Sequence, residues 1–130
     1  MRIVIVLASA LLSGAALADT VRHGSVPERF WETWVPSAEL CRDDKSIVVV
    51  SAKGYATSQA TCTVQWVVAT AGAGGPIYSA HMRCLSLSTP EQKTELNRII
   101  VPVDNDQLSA GADFKDLNSY QRCPANQTYD

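Results

Sequence analysis

Residues 60–87 contain the feature that most constrains the fold of this chain. Two runs of strand-favouring residues, 60–69 and 77–87, lie on either side of the sequence Ala71-Gly72-Ala73-Gly74-Gly75. The glycines give this short segment the backbone freedom that a tight turn needs, and the flanking runs are rich in β-branched and aromatic residues. The pattern predicts an antiparallel β-hairpin.

The side-chain pattern of the hairpin also predicts its register. A turn centred on Ala73 places Cys62 opposite Cys84, because the two cysteines lie equally far from the turn. The other pairs predicted on this face are all apolar: Val64 with Met82, Trp66 with Ala80, and Val68 with Tyr78. The opposite face carries Gln65, His81 and Arg83 and is largely polar. Since side chains alternate between the two faces of a strand, the apolar face is expected to face the core.

The four cysteines predict two disulfides. Directly opposed residues of an antiparallel pair have Cβ atoms about 4.5–5.5 Å apart, close to what a disulfide requires, so Cys62 is expected to bond Cys84. Elimination then pairs Cys41 with Cys123. Cys41–Cys62 with Cys84–Cys123 is a rival arrangement, and Cys41–Cys84 with Cys62–Cys123 is the least favoured. The wide spacing of the cysteines argues against a zinc site, and no metal site is predicted.

The N-terminal residues have the layout of a secretory signal peptide. Arg2 supplies a positive charge, residues 3–12 are almost wholly apolar, and Ala16-Leu17-Ala18 matches a small-residue cleavage site. The apolar stretch is shorter than the roughly 20 residues of a membrane span. We therefore expect cleavage after Ala18 and a bacterial protein that is periplasmic or secreted. Residues 19–130 then form a single β domain, ordered over about 27–124.

The rest of the chain also predicts short strands. They are expected at residues 29–35, 46–52, 94–103, 108–110 and 119–123, with helical turns at 37–41 and 113–117. Residues 89–92 carry a helix-start pattern, but the β-branched residues at 99–103 favour a strand. The predicted fold class is all-β: a small antiparallel sheet of about seven strands, curled into a barrel or half-barrel with two disulfides.

Composition excludes several functional classes. The chain is 46% hydrophobic, which is too apolar for a disordered polar chain, and its formal net charge of −2 has the wrong sign for a nucleic-acid surface. No nucleophile-elbow, calcium-loop or phosphate-loop motif occurs. We therefore predict no cofactor, no nucleic-acid partner and no membrane association after signal cleavage.

The two ends of the predicted domain resemble a known pattern. The segment Arg29-Phe30-Trp31-Glu32-Thr33-Trp34 and the segment Tyr120-Gln121-Arg122-Cys123 are similar to short secreted proteins of unknown function from Rhizobium-like alphaproteobacteria. The opening strand and the late arginine also resemble lipocalin-like barrels. That resemblance implies that Trp34 and Arg122 pack together to close one end of a barrel. Glu32 departs from it, because lipocalins carry glycine at this position.

The aromatic residues suggest a ligand site. Core packing is the more frequent role of tryptophan in so small a domain. The alternative is that Trp31 and Trp34, together with Trp66 and Tyr78, line a small apolar pocket, with His81 and Arg83 as polar candidates. The favoured function is a non-catalytic binding or interaction module for an unknown small ligand or protein. Two alternatives are an inhibitor of a lysozyme-type hydrolase that inserts residues 71–76 into a cleft, and a small periplasmic enzyme with His81 as its base.

Overall fold

The computed structural model describes residues 20–124 of the chain, and the predicted signal peptide and its cleavage site lie outside them. The described residues form nine strands and two short 3-10 helices, Glu28–Phe30 and Ala38–Leu40. The strands are β1 (Thr20–His23), β2 (Glu32–Val35), β3 (Val48–Val50), β4 (Gly54–Ala56), β5 (Ala60–Gly72), β6 (Gly75–Ser86), β7 (Lys93–Asp104), β8 (Gln107–Gly111) and β9 (Asn118–Arg122).

Strands β2 to β9 close into an antiparallel barrel. Each strand pairs with the next along the chain, and β9 returns to pair with β2 through Trp34 opposite Arg122 and Val35 opposite Gln121. Strand β1 lies outside this ring and pairs with the distal half of β5, where Thr20 is opposite Thr70. The predicted all-β barrel with two disulfides is confirmed. The ring has eight strands, one more than the approximate number predicted, and β1 precedes the first element that the sequence predicts.

At two places in the chain, residues that favour a strand compete with residues that favour a helix or turn. The β-branched residues after position 98 prevail over the helix-start pattern, so residues 89–92 form only a turn, in which Gln92 N donates to Thr89 O at 3.0 Å. The predicted strand over 29–35 is divided, because Pro27 is the N-cap of the 3-10 helix Glu28–Phe30 and only residues 32–35 pair as a strand. Residues 113–117, predicted as a helical turn, form a turn in which Asp116 N donates to Asp113 O at 3.3 Å.

The predicted hairpin register holds for only half of the hairpin. Cys62 pairs with Cys84 and Val64 with Met82, as predicted, but a β-bulge between Val64 and Trp66 then shifts the register by one residue. Trp66 therefore pairs with His81, and the predictions that Trp66 opposes Ala80 and Val68 opposes Tyr78 were wrong. Beyond the bulge, the inward-facing residues of β5 are Val67 and Ala69. The hairpin ends in a turn at residues 73–74, closed by Gly72 and Gly75.

Both predicted disulfides are present. Cys62–Cys84 joins neighbouring strands on the inner face of the barrel, with 4.0 Å between the Cα atoms. Cys41–Cys123 spans 82 residues and has a Cα–Cα distance of 5.7 Å. This second bridge packs with the fully buried Val35 in a separate small cluster, so it holds the β2–β3 connection against the outer wall of the barrel.

The two ends of the barrel differ. Because neighbouring strands are antiparallel, the 3-10 helix Glu28–Phe30 and the turns at 51–53, 73–74 and 105–106 all lie at one end, called here the closed end. The connections 87–92 and 112–117 lie at the other. On the inward face of β7, Leu96 is 48% exposed, although Arg98 and Ile100 on the same face are half-buried. The interior of the barrel therefore meets solvent at the end opposite the closed end.

Candidate functional site in the barrel interior

Arg122 seals the closed end of the barrel. Its guanidinium carbon lies 4.4 Å from the centre of the Trp34 ring. Nη1 donates to Trp31 O at 2.6 Å, and Nη2 donates to Arg29 O and, at 3.1 Å, to Asn105 O. Asp106 lies 3.5 Å from Nε. The packing of Trp34 with Arg122 that the lipocalin resemblance implies is confirmed.

Glu32 lies beside this seal with an unusual backbone conformation. It has a φ of 94°, and it is the only non-glycine residue with a positive φ in the described part of the chain. Glycine adopts such a φ without steric cost, whereas a side chain with a Cβ is strained there. The position where the lipocalin resemblance implies glycine therefore has the backbone conformation that glycine favours.

The interior of the barrel contains a small, mostly apolar cavity. Its volume is about 40 Å³, well below the roughly 150 Å³ of an apolar cavity that admits benzene. Two of its wall positions are alanines, Ala80 and Ala110, which leave space that larger side chains would fill. The cavity is lined by Val26, Phe30, Trp34, Val48, Val50, Tyr55, Val64, Ala80, Met82, Arg98, Ile100, Leu108, Ala110 and Tyr120.

Arg98 is the one charged side chain in this lining. It lies opposite Ala80 on the inward face of β7, and the small alanine leaves room for the guanidinium. Nη2 donates to the hydroxyl of Tyr120 over a long 3.4 Å. Nε is buried and has no hydrogen-bond partner among the described residues. A buried donor without a partner costs about 1–3 kcal/mol, and more when the group is charged.

Two tyrosines of the cavity lining lie close to Arg98. The Arg98 guanidinium lies 5.9 Å from the centre of the Tyr55 ring and also contacts Tyr120. Burial raises the pKa of Tyr55, and the positive charge of Arg98 only partly offsets this effect. The Tyr55 phenol therefore stays protonated at neutral pH and keeps an O–H group that can donate. The arrangement can bind an anionic or strongly accepting group at the side of an apolar chamber.

Only some of the aromatic residues predicted for the ligand site lie on the inner surface of the barrel. Trp34 lines the cavity, and Tyr78 is buried on the same inner surface, where it packs edge-on against Phe30 with 4.9 Å between ring centres. Trp31 lies next to the closed end, where its Nε1 donates to Val26 O at 2.9 Å. Trp66 does not line the cavity, because the bulge in β5 moves it to the outer face.

Trp66, His81 and Arg83 meet on the outer wall of the barrel. The Trp66 and His81 rings are stacked, with centres 4.2 Å apart, and the Arg22 guanidinium lies 4.4 Å from the centre of the Trp66 ring on β5. Glu95 lies 3.3 Å from His81 Nε2 and 3.2 Å from Arg83 Nη2. The hydrogen bond from Arg83, followed by the charge of His81, lowers the pKa of the exposed Glu95.

The surroundings of His81 do not form a recognisable catalytic arrangement. Its Nδ1 lies 2.9 Å from Asn97 Oδ1, so both ring nitrogens contact neighbouring side chains. Neither contact is with a hydroxyl or thiol that a base could activate. The predicted inhibitory segment, residues 71–76, forms the tip of the β5–β6 hairpin at the closed end.

The sequence predictions did not include Arg98, Tyr55 or the inward position of Tyr120 as site residues. A signal for Arg98 was present in the pattern of β7, where Leu96, Arg98 and Ile100 alternate onto one face. A single arginine in an otherwise apolar row indicates a charge that faces the interior. Tyr55 carried no such signal, because its three-residue strand is too short to show alternation.

Within residues 20–124, no group of three or more His, Cys, Asp or Glu side chains is placed to bind a metal ion. No helix in that range is long and apolar enough to cross a membrane.

Comparison with protein families, curated proteins and solved structures finds no match to this chain. The resemblance to secreted alphaproteobacterial proteins therefore stays a prediction.

Proposed function

We propose that this chain is a non-catalytic binding protein that holds a small, partly apolar ligand inside its barrel. The observation that carries the proposal is the cavity, which is walled by apolar side chains and contains one incompletely bonded cation, Arg98. Ligand sites are commonly concave and apolar with a few polar groups that orient the ligand. Small eight-stranded barrels can hold one ligand in this way.

The ends of the barrel support a binding role. The closed end is held by the hydrogen bonds of Arg122, whereas Leu96 is exposed at the opposite end. A ligand could therefore reach the cavity from one side and remain shielded from solvent on the other. Met82 lines the cavity, and its flexible side chain can adjust to an occupant.

We also propose that the protein works in an oxidising compartment, outside the cytoplasm. Two disulfides support this location, because disulfides persist in secreted and periplasmic proteins and are rare in reducing cytosol. Fractionation of cells that express the full chain, followed by N-terminal sequencing, would test export. A protein retained uncleaved in the cytoplasm would contradict it.

The binding proposal can be tested by NMR titration of the oxidised protein with small amphiphiles of equal length, 1-hexanol and hexanoate. We expect saturable shifts in the backbone amides of Ala80 and Ala110 and in the indole N–H of Trp34. An Ala110→Leu variant should lose these shifts, because leucine fills the cavity. A matched Ser109→Leu variant, altered at the neighbouring outward position of β8, should keep them.

If neither compound produces saturable shifts at cavity residues, the proposed function is wrong. A folded Ala110→Leu variant with unchanged affinity would also contradict it. Should that variant fail to fold, Ala80→Leu on β6 provides the same test from another part of the cavity wall.

A further inference from the structure

We propose that Arg98, Tyr55 and Tyr120 form a carboxylate-binding site, so that the ligand is a small monocarboxylic acid with a slender apolar tail. This inference rests on the proposed binding function and adds the chemical class of the ligand. It depends on three observations: the charge balance of the barrel interior, the free hydrogen-bonding edge of Arg98, and the size of the cavity.

The charge of Arg98 is not balanced by any described residue. A guanidinium is protonated at all physiological pH values. The ion pairs among residues 20–124 use Glu95 and Asp106 as their acids, and Arg98 takes part in none of them. A half-buried cation among apolar side chains is costly unless an anion accompanies it. One uncompensated positive charge matches a ligand that carries one negative charge.

The geometry of the polar groups favours a carboxylate. Nε is buried without a partner, and the Nη2 contact with Tyr120 is long, so Arg98 has unused donor capacity. Two parallel N–H groups of a guanidinium match the two oxygens of a carboxylate. Because the Tyr55 and Tyr120 hydroxyls lie beside the guanidinium, they can donate to the remaining lone pairs. A phosphate dianion would bring a second charge that this site does not balance.

The cavity limits the rest of the ligand. A volume of about 40 Å³ admits neither an aromatic ring nor a six-carbon chain unless the lining moves. An unbranched alkyl chain is narrower than a ring, so it requires a smaller movement of the apolar wall beside Arg98. The site therefore favours a linear aliphatic acid over an aromatic one.

The test compares hexanoate, 1-hexanol and hexylammonium, which share a tail and differ in the head group. We expect hexanoate to bind at least about ten-fold more tightly than 1-hexanol, the ratio that a hydrogen bond to a charged group provides. Hexylammonium should bind more weakly than the alcohol, because its charge repels Arg98. Benzoate should bind more weakly than hexanoate.

Three variants test whether the preference for hexanoate over 1-hexanol depends on Arg98 and Tyr120. Arg98→Met should reduce hexanoate affinity to that of 1-hexanol and leave the affinity for the alcohol unchanged. Arg83→Met is the matched control, because it removes an arginine from the outer wall that cannot reach the cavity. Tyr120→Phe removes one hydroxyl and should weaken hexanoate binding by a smaller factor, and it serves as the test if Arg98→Met does not fold.

The outcomes separate the two proposals. Equal binding of hexanoate and 1-hexanol would overturn the carboxylate site and leave the binding function intact. Absence of binding by all the probes would overturn the binding function itself. A preference for hexanoate that survives Arg98→Met, or that disappears in Arg83→Met, would show that the acid binds elsewhere and would overturn this assignment.

Discussion

Arg122 and Arg98 occupy opposite situations in the same barrel. Arg122 donates to three main-chain carbonyl groups, lies over the Trp34 ring and has Asp106 nearby. Arg98 has one long hydrogen bond, an unpartnered Nε and no acid. Arginines with all their donors used stabilise a structure, whereas one with unused donors in a cavity is available for a ligand. The difference distinguishes the structural end of the barrel from its proposed binding site.

The largest expected changes in the free energy of unfolding come from removing the disulfide of each region. Cys41–Cys123 holds the outer wall near Arg122 and spans 82 residues, whereas Cys62–Cys84, in the barrel interior, spans 22. By loop entropy, removing the long bridge with paired Cys→Ser changes should cost about 4.5 kcal/mol, and removing the short one about 3.4 kcal/mol. Urea unfolding of both double variants measures this order. The reverse order would show that packing, and not loop length, dominates.

Arg122→Met should lower the free energy of unfolding by about 2 kcal/mol, because three main-chain carbonyl groups, one of them partly buried, lose a charged donor. Urea denaturation followed by Trp fluorescence provides the measurement. Arg29→Met is a suitable control, since that side chain lies at the same end but its guanidinium contacts only the Phe30 ring. A loss below about 1 kcal/mol would mean that Arg122 is not the main seal.

Arg98→Met should change the free energy of unfolding in the opposite direction. Replacing a half-buried, incompletely bonded cation whose Nε is buried with an apolar side chain of similar length is expected to raise the free energy of unfolding by about 1 kcal/mol. Thermal and urea unfolding of the ligand-free protein would show the gain. If the variant is destabilised as much as Arg122→Met, Arg98 is a structural residue and the comparison between the two arginines fails.

Glu32→Gly should stabilise the closed end slightly, by about 0.5–1 kcal/mol. Relief of the positive-φ strain is worth about 1–3 kcal/mol, and the greater freedom of glycine in the unfolded chain offsets part of it. Glu32→Ala is the control, because alanine removes the carboxylate but keeps the Cβ. Equal gains for both substitutions would point to the charge of Glu32 instead of its backbone.

The smallest expected effect concerns Tyr55 at alkaline pH. Its pKa is raised in the folded protein, so above the ordinary tyrosine pKa the unfolded chain loses a proton that the folded chain retains. The stability that Tyr55 contributes is fully present below the ordinary tyrosine pKa. It is lost as the pH rises toward the pKa of Tyr55 in the folded protein. Tyr55→Phe should therefore show a shallower decline in melting temperature above pH 10 than the unaltered protein. Identical slopes of melting temperature against pH in the two proteins would show that Tyr55 does not cause the decline.

Much of the barrel could be predicted from the sequence because its signals are local. The hairpin, strand β7 and the Cys62–Cys84 bridge follow from alternation, turn residues and facing cysteines. The β5 bulge could not be predicted, since a regular register and a bulged one both place apolar residues inward over part of the strand. Its consequence was large, because it moved Trp66 from the expected pocket to the outer wall.

The sequence by itself determined an all-β chain with two disulfides, because alternation acts over short distances and places Cys62 opposite Cys84, which leaves Cys41 and Cys123 as the second pair. Only the tertiary structure decided which inward-facing side chains share one chamber. Closure of β9 onto β2 is a long-range pairing, and it places Tyr55 of β4, Arg98 of β7 and Tyr120 of β9 around the same space. Their proximity depends on the number and tilt of the strands in the ring, which no local pattern encodes.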